Sequence, residues 1–149
     1  MESVIQMAGY YAATAIETLS QNQRFTPCIV HLANDGQYVE TPLPFSPVQA
    51  AARAGEALND ISGDNQGVIF VSDVIVSLKT GKVDAIVAEI RFSEAPEKSI
   101  SLIVPYRPAN HEAGFAVHRF LINQMKGFNR SHLEWATNAV SDGLEAHTA

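Results

Sequence analysis

The sequence predicts a single α+β domain in which helices pack on an antiparallel sheet of five to six strands. The chain has 149 residues, 46% hydrophobic and 17% charged, which suits one buried core and leaves little room for a second domain. Apolar residues recur at helical spacing towards both ends of the chain, whereas its middle is rich in valine and isoleucine. The expected order is α-β-β-α-β-β-β-α, with a further strand before the last helix.

The first element is a helix from Ser3 to about Leu19. Its apolar residues follow steps of three and four: Ile5, Ala8, Ala12, Ile16 and Leu19. A β-hairpin follows, with one strand over residues 27–33 and its return strand over residues 37–40. The turn between them contains Asp35-Gly36, a pair that tolerates the positive φ angles of tight turns.

The second helix is expected to begin at Pro47. Ser46 offers a capping side chain, and proline suits the first helical position. Ser62-Gly63 is expected to end this helix. Its inner stripe is predicted to consist of Val48, Ala51, Ala52, Gly55, Leu58 and Ile61.

Three strands in the middle of the chain are expected to form an antiparallel meander over residues 67–78, 83–92 and 99–106. The first of these strands is apolar on both of its faces, which predicts a position inside the sheet with cover on both sides.

The end of the chain is less clearly patterned. Residues 115–122 fit a strand or a helical turn, and we favour a strand. Ser131 and Glu134 have the spacing of a capping box for a last helix. Its inner face is predicted to hold Leu133, Ala136, Val140 and Leu144. Residues 144–149 are expected to form a frayed tail.

Through its three-strand meander, this order of elements resembles the roadblock and profilin-like class of small domains. The resemblance implies a dimeric platform for partner proteins. It is one of topology only, so it assigns no site residues to this chain.

The composition indicates which kinds of partner and which cellular compartment to expect. Ten basic residues against sixteen acidic ones give a net charge of −6, which argues against nucleic acid as a partner. The longest uncharged stretch near the beginning, residues 3–16, is shorter than the roughly 18 residues of a membrane span. The single cysteine, Cys28, excludes an internal disulfide and favours the cytoplasm. We expect Cys28 to be a small buried residue, with His31 on the other face of its strand.

Known catalytic motifs are absent from the sequence. No dinucleotide fingerprint, phosphate-binding loop, H-E-x-x-H pair or G-x-S-x-G elbow occurs. We therefore expect no cofactor and no metal site.

One candidate site lies on the meander. We expect Arg91 near Ser99 and Glu89 near Ser101, with Asp73 opposite Ala88 or Glu89 depending on register. Asp73, Glu89, Arg91 and Ser101 would then share one face, which could extend to Arg107. Such a cluster suits acid-base chemistry, because the arginine would change the pKa of a neighbouring carboxyl group. The alternative, which we favour, is a solvated face with weak ion pairs.

The second candidate is the loop at residues 107–112. Arg107, Asn110, His111 and Glu112 place a cation, an amide, an imidazole and a carboxylate beside the end of a strand. Arg107 and His111 could together hold a small anion. Alternatively, the loop is polar because it is exposed to water.

Together these observations predict a non-catalytic, dimeric binding or adaptor module in the cytoplasm. Its partner would be a second copy of itself or another protein, and neither nucleic acid nor a membrane is expected. The alternative is a small enzyme, or a protein that binds small anionic molecules, with a pocket around Glu89, Arg91, Arg107 and His111.

Overall fold

The computed structural model describes residues 1–61 and 63–148, which form three α-helices, a 3-10 turn and seven strands. The helices are α1 (Glu2–Ser20), α2 (Pro47–Asn59) and α3 (Leu133–Thr148), and the 3-10 turn (Arg130–His132) precedes α3. The strands are β1 (Cys28–Ala33), β2 (Tyr38–Pro42), β3 (Asn65–Leu78), β4 (Gly81–Phe92), β5 (Ser99–Arg107), β6 (Ala116–Val117) and β7 (Leu121–Lys126). No helix in the described ranges is long and apolar enough to cross a membrane.

All the strands belong to one antiparallel sheet. Its order is β2-β1-β3-β4-β5, and β6 and β7 share the outer edge of β5. This confirms the predicted α+β fold. The predicted interior position of the first meander strand is confirmed only for its first half, because β1 pairs with β3 no further than Val71. Within the described chain the sheet has one strand more than expected, because residues 115–122 do not form one continuous strand. β6 ends at Val117, and β7 begins at Leu121 and runs beyond the predicted end.

Helices α1 and α3 cover one face of the sheet and contact each other closely. Gly9 and Gly143 lie at their crossing. A Cβ atom on Gly9 would lie 2.5 Å from the carbonyl oxygen of Val140, and a Cβ atom on Gly143 would overlap the carbonyl oxygen of Gln6. Backbone therefore packs on backbone, which requires glycine at both positions.

The last helix is longer and starts differently from the prediction. α3 continues through Thr148, over most of the segment expected to fray, and Leu144 packs against the core. The predicted capping box at Ser131 is wrong, because Ser131 lies within the 3-10 turn that precedes α3. That turn is capped by Asn129, which exchanges hydrogen bonds with His132. Leu133 is 49% exposed, since it lies at the start of the helix, whereas the predicted Ala136 and Val140 are buried.

Helix α2 packs on the opposite face of the sheet. The predicted cap is confirmed, because the backbone N–H of Gln49 donates to the Ser46 hydroxyl at 3.3 Å. The predicted stripe is wrong at three positions: Val48, Ala51 and Ala52 are exposed. The helix instead contacts the sheet through Ala50 and Ala54, because small side chains allow close approach to Ile29 and Val68. The predicted end at Ser62 lies outside the described residues; α2 ends at Asn59.

Candidate functional site

The predicted polar cluster on the meander is only partly assembled. Glu89 lies opposite Ser101 and Arg91 lies opposite Ser99, as expected. Asp73, however, lies opposite Ile86, so its side chain is on the other face of the sheet. The expected register is wrong because β4 begins at Gly81, two residues before its predicted start, and the turn is correspondingly tight. No carboxylate pair forms between Asp73 and Glu89.

The remaining cluster is a partly exposed ion pair. The Ser101 hydroxyl donates to Oε1 of Glu89 at 3.1 Å, and Nη1 of Arg91 lies 4.0 Å from Oε2 of the same carboxylate. Both charged side chains keep contact with solvent. Water screens such a pair, so it contributes little to stability.

The loop after β5 uses its polar residues to hold its own shape. Nε of Arg107 donates to the carbonyl oxygen of Gly114 at 2.7 Å, and Nη2 donates to that of Ala113 at 3.2 Å. Nδ1 of His111 accepts the backbone N–H of Ala113 at 3.0 Å. Asn110 and Glu112 are exposed. The cation and the imidazole therefore have structural partners within the loop.

The two predicted groups of site residues lie far apart along β5. Glu89 is opposite Ser101, and Arg107 comes six residues later, about 20 Å along the strand. A small anion that contacts Arg107 and His111 does not reach Glu89 and Arg91. Binding of an anion by either group alone stays a prediction.

The sequence did not reveal that one edge of β3 is half unpaired. β1 pairs with β3 only from Asn65 to Val71, whereas β4 pairs with β3 as far as Leu78. Within the described chain, no strand covers residues 72–78 on the side of β1. Pro27, which precedes β1, has no N–H to continue the ladder, and its carbonyl oxygen accepts the backbone N–H of Leu43 at 2.7 Å. We call residues 72–78 of β3 the free edge.

A cavity of about 630 Å³ adjoins the beginning of the free edge. It lies between the segment before β1, the start of α2 and the sheet. Three aromatic residues line it: Phe25 from the segment before β1, Phe45 from the segment before α2 and Phe70 from the sheet. Ser72 and Val74 of the free edge also line it, so a chain that pairs with this edge would pass over the opening.

Two buried tyrosines donate hydrogen bonds to carboxylates. The Tyr106 hydroxyl donates to Oδ1 of Asp73 at 2.6 Å, and the Tyr11 hydroxyl donates to Oε2 of Glu40 at 3.0 Å. Burial, and then the bonded carboxylate, raises the pKa of each phenol above its ordinary value of 10.0. The pKa of Asp73 is also raised, chiefly by partial burial of its carboxyl group and further by the charge of Asp84, although the Tyr106 hydrogen bond lowers it.

These tyrosines predict a loss of stability in alkali. Because the folded pKa values of Tyr11 and Tyr106 lie above the unfolded value, their contribution is fully present below pH 10 and is lost as pH rises above it. We expect two phenols to ionise late or only on unfolding in a phenolate absorbance titration. Tyr11→Phe and Tyr106→Phe should each remove one late step. Titration of every tyrosine together near pH 10 in the folded protein would contradict the prediction.

Cys28 has the environment of a core residue. It is 1% exposed, and burial followed by the charge of Glu40 raises the pKa of its thiol to about 12. His31 is only half-buried and lies on the opposite face of β1, so the two form no catalytic pair. Among residues 1–61 and 63–148, no group of three or more histidine, cysteine, aspartate or glutamate side chains could hold a metal ion.

Comparison with known proteins found no matching family model, no similar curated protein and no similar solved structure. The resemblance to the roadblock and profilin-like class therefore stays a prediction.

Proposed function

We propose that this chain is a non-catalytic, homodimeric binding module and that two copies pair through the free edge of β3. The observation that carries this proposal is the free edge itself. It consists of residues 72–78, which are paired on one side by β4 and open on the other.

The chemistry of the free edge favours pairing. An unpaired strand edge exposes backbone N–H and C=O groups, and proteins usually protect such edges with lysine, proline or a bulge. Residues 72–78 carry no lysine, proline or bulge, and their ladder with β4 is regular. Their one charged side chain, Asp73, accepts a hydrogen bond from the Tyr106 hydroxyl of the same copy. Val74 is 37% exposed and Ile75 is 69% exposed, and both are β-branched residues that suit a sheet interior. An edge of this kind is typical of one that a second strand covers.

A second copy fits this edge through a two-fold axis at Ile75. Antiparallel pairing then places Ile75 opposite Ile75 of the second copy, Val74 opposite Val76, and Asp73 opposite Ser77. No carboxylate faces another carboxylate. Leu78 of the second copy comes opposite Ser72, beside the 630 Å³ cavity with its aromatic lining. The cavity can therefore receive an apolar side chain from the partner.

This pairing joins the two sheets into one continuous sheet. Because the axis is perpendicular to the sheet, helices α1 and α3 of both copies lie on one side and both α2 helices lie on the other. We propose that this extended surface is the platform on which the module binds other proteins. The contact is small for a stable dimer, so we expect a dissociation constant in the micromolar range.

Ile75→Lys tests the dimer. A lysine at the centre of the edge places two positive charges opposite each other, so we expect the variant to be monomeric at concentrations where the native protein is dimeric. Light scattering coupled to size-exclusion chromatography measures the mass, and circular dichroism checks the fold. Val48→Lys is the matched control: Val48 is 80% exposed on α2 and should leave the dimer intact.

Ile75→Cys tests the register of the pairing. Directly opposed residues have Cβ atoms about 4.5–5.5 Å apart, so mild oxidation should link the two copies. The buried Cys28 does not compete. A native protein that is strictly monomeric throughout the micromolar range would overturn the proposal, as would an Ile75→Lys variant that dimerises like the native chain.

A cytoplasmic location belongs to the same proposal. It is supported by the single, buried cysteine, which gives the chain no internal disulfide to maintain.

A further inference from the structure

A second cavity, of about 590 Å³, lies at the other edge of the sheet, between the ends of α1 and α3 and the outer side of β5. We call it the helix-end cavity. Beside it, β5 contains Pro105, which has no N–H to offer a neighbouring strand. β6 pairs with β5 at Tyr106 and Arg107, and β7 pairs with it only up to Ile103. Between them, residues 118–120 belong to no strand, although the backbone N–H of His118 still donates to the carbonyl oxygen of Pro105 at 2.9 Å. These three residues line the cavity.

The inner walls of the helix-end cavity are apolar. Ile16 comes from α1, Val104 from β5, Phe120 from the segment between β6 and β7, and Leu144 from α3. The small side chain of Ala13 leaves room between these walls. Clefts of about 300–1,000 Å³ with apolar walls and a few polar groups are typical of sites for small molecules.

The polar groups of the helix-end cavity are mainly basic. His118 and Arg119 come from the segment above it, and His147 and Glu17 come from the two helices. Nε2 of His147 lies 3.0 Å from Oε2 of Glu17, so the single carboxylate already has a partner. The guanidinium group of Arg119 forms no hydrogen bond or ion pair with the described residues and is exposed at the opening.

We propose that the helix-end cavity binds an amphipathic carboxylate, an unbranched fatty acid of medium length. The apolar walls cover the hydrocarbon chain, and Arg119 binds the carboxylate through paired N–H donors. Because Glu17 is already paired with His147, the charged group of the lining that is left without a partner is the Arg119 guanidinium, which favours an anion over a cation.

This site goes beyond the proposed dimer and does not depend on it. The free edge of β3 and the helix-end cavity lie on opposite sides of β4 in the sheet order. Either proposal can therefore fail without affecting the other.

Calorimetric titration with decanoate, below the concentration at which it forms micelles, tests the site. We expect decanoate to bind the native protein with a dissociation constant of about 1 mM or lower. Decanol should bind more weakly, because it lacks the charge, and decyltrimethylammonium should not bind. Chemical-shift changes in an NMR titration should centre on Phe120 and Leu144.

Two variants separate the charge from the apolar walls. Arg119→Gln should weaken decanoate binding about tenfold and leave decanol binding unchanged. Ala13→Leu should fill the cavity and remove binding of both. Arg130→Gln is the matched control, since Arg130 is an exposed arginine of the 3-10 turn that does not line the cavity. The proposal is overturned if decanoate does not bind the folded protein, if decyltrimethylammonium binds as tightly, or if Arg119→Gln behaves like Arg130→Gln.

Discussion

Gly143→Ala is expected to destabilise the protein by about 3 kcal/mol, although alanine is the better helix former. The new methyl group would overlap the carbonyl oxygen of Gln6 and lie 3.0 Å from the backbone nitrogen of Tyr10. Both obstacles are backbone atoms of α1, so no side-chain rotation relieves the overlap. The two helices must move apart, and this opens the core beneath them.

Gly55→Ala is the control for this prediction. Gly55 also lies within a helix, α2, but apart from the adjoining residues and backbone of that helix nothing lies within 4 Å of the position that its Cβ atom would take. Here alanine should stabilise the protein by about 0.5–1 kcal/mol, because only the helix preference changes. Urea unfolding of the two variants measures both effects. If Gly143→Ala is as stable as the native protein, α1 and α3 do not cross as closely as described.

Phe92→Ala is expected to lower the free energy of unfolding by about 3–5 kcal/mol. Phe92 is fully buried at the end of β4, opposite Gly67. Its ring packs edge-on against that of Phe128, with 5.9 Å between the ring centroids. It therefore joins the sheet to the segment that leads into α3. Removing the ring leaves a cavity that the fixed strand backbone cannot close.

Phe45→Ala provides the comparison for Phe92. Phe45 is 38% exposed and has the guanidinium group of Arg53 over its ring at 4.4 Å. Phe45→Ala should lower the free energy of unfolding by about 1 kcal/mol, because the ring of Phe45 buries less apolar surface than that of Phe92. If urea unfolding shows a similar decrease in the free energy of unfolding for Phe92→Ala and Phe45→Ala, the assignment of Phe92 to the core is wrong.

The fold class could be predicted because its signals are local. The turn at Asp35-Gly36 is confirmed by the positive φ of Gly36, at 88°, and the start of α2 is confirmed by the Ser46 cap. Valine and isoleucine runs gave the meander for the same reason: strand preference belongs to short segments.

The predictions that were wrong, the buried stripe of α2 and the register of Asp73, depend on distances between segments. The rotation of α2 is set by how closely Ala50 and Ala54 approach the sheet, whereas the predicted stripe began at Val48, which is 80% exposed. The register of Asp73 depends on a turn whose length the sequence left open. Neither quantity follows from preference within one segment.

The candidate surfaces were missed for a related reason. Strand lengths were visible in the sequence, and a long β3 beside a short β1 must leave part of an edge uncovered. The sequence does not show which strands are neighbours, so the difference in length between β3 and β1 could not be used to predict an uncovered edge. Pro105 was visible too, but its effect requires knowing that β6 and β7 pair with the strand that contains it.

The crossing of Gly9 with Gly143 also has a consequence for synthesis on the ribosome. These residues belong to helices that precede and follow the sheet in the chain, so α1 is synthesised before the sheet and its helical partner α3 after it. The β3–β4 hairpin, in contrast, joins neighbouring segments and can form while the chain is still growing. Until α3 emerges, the glycine side of α1 lacks its partner, and a nascent chain that stops before Gly143 would expose it to other proteins.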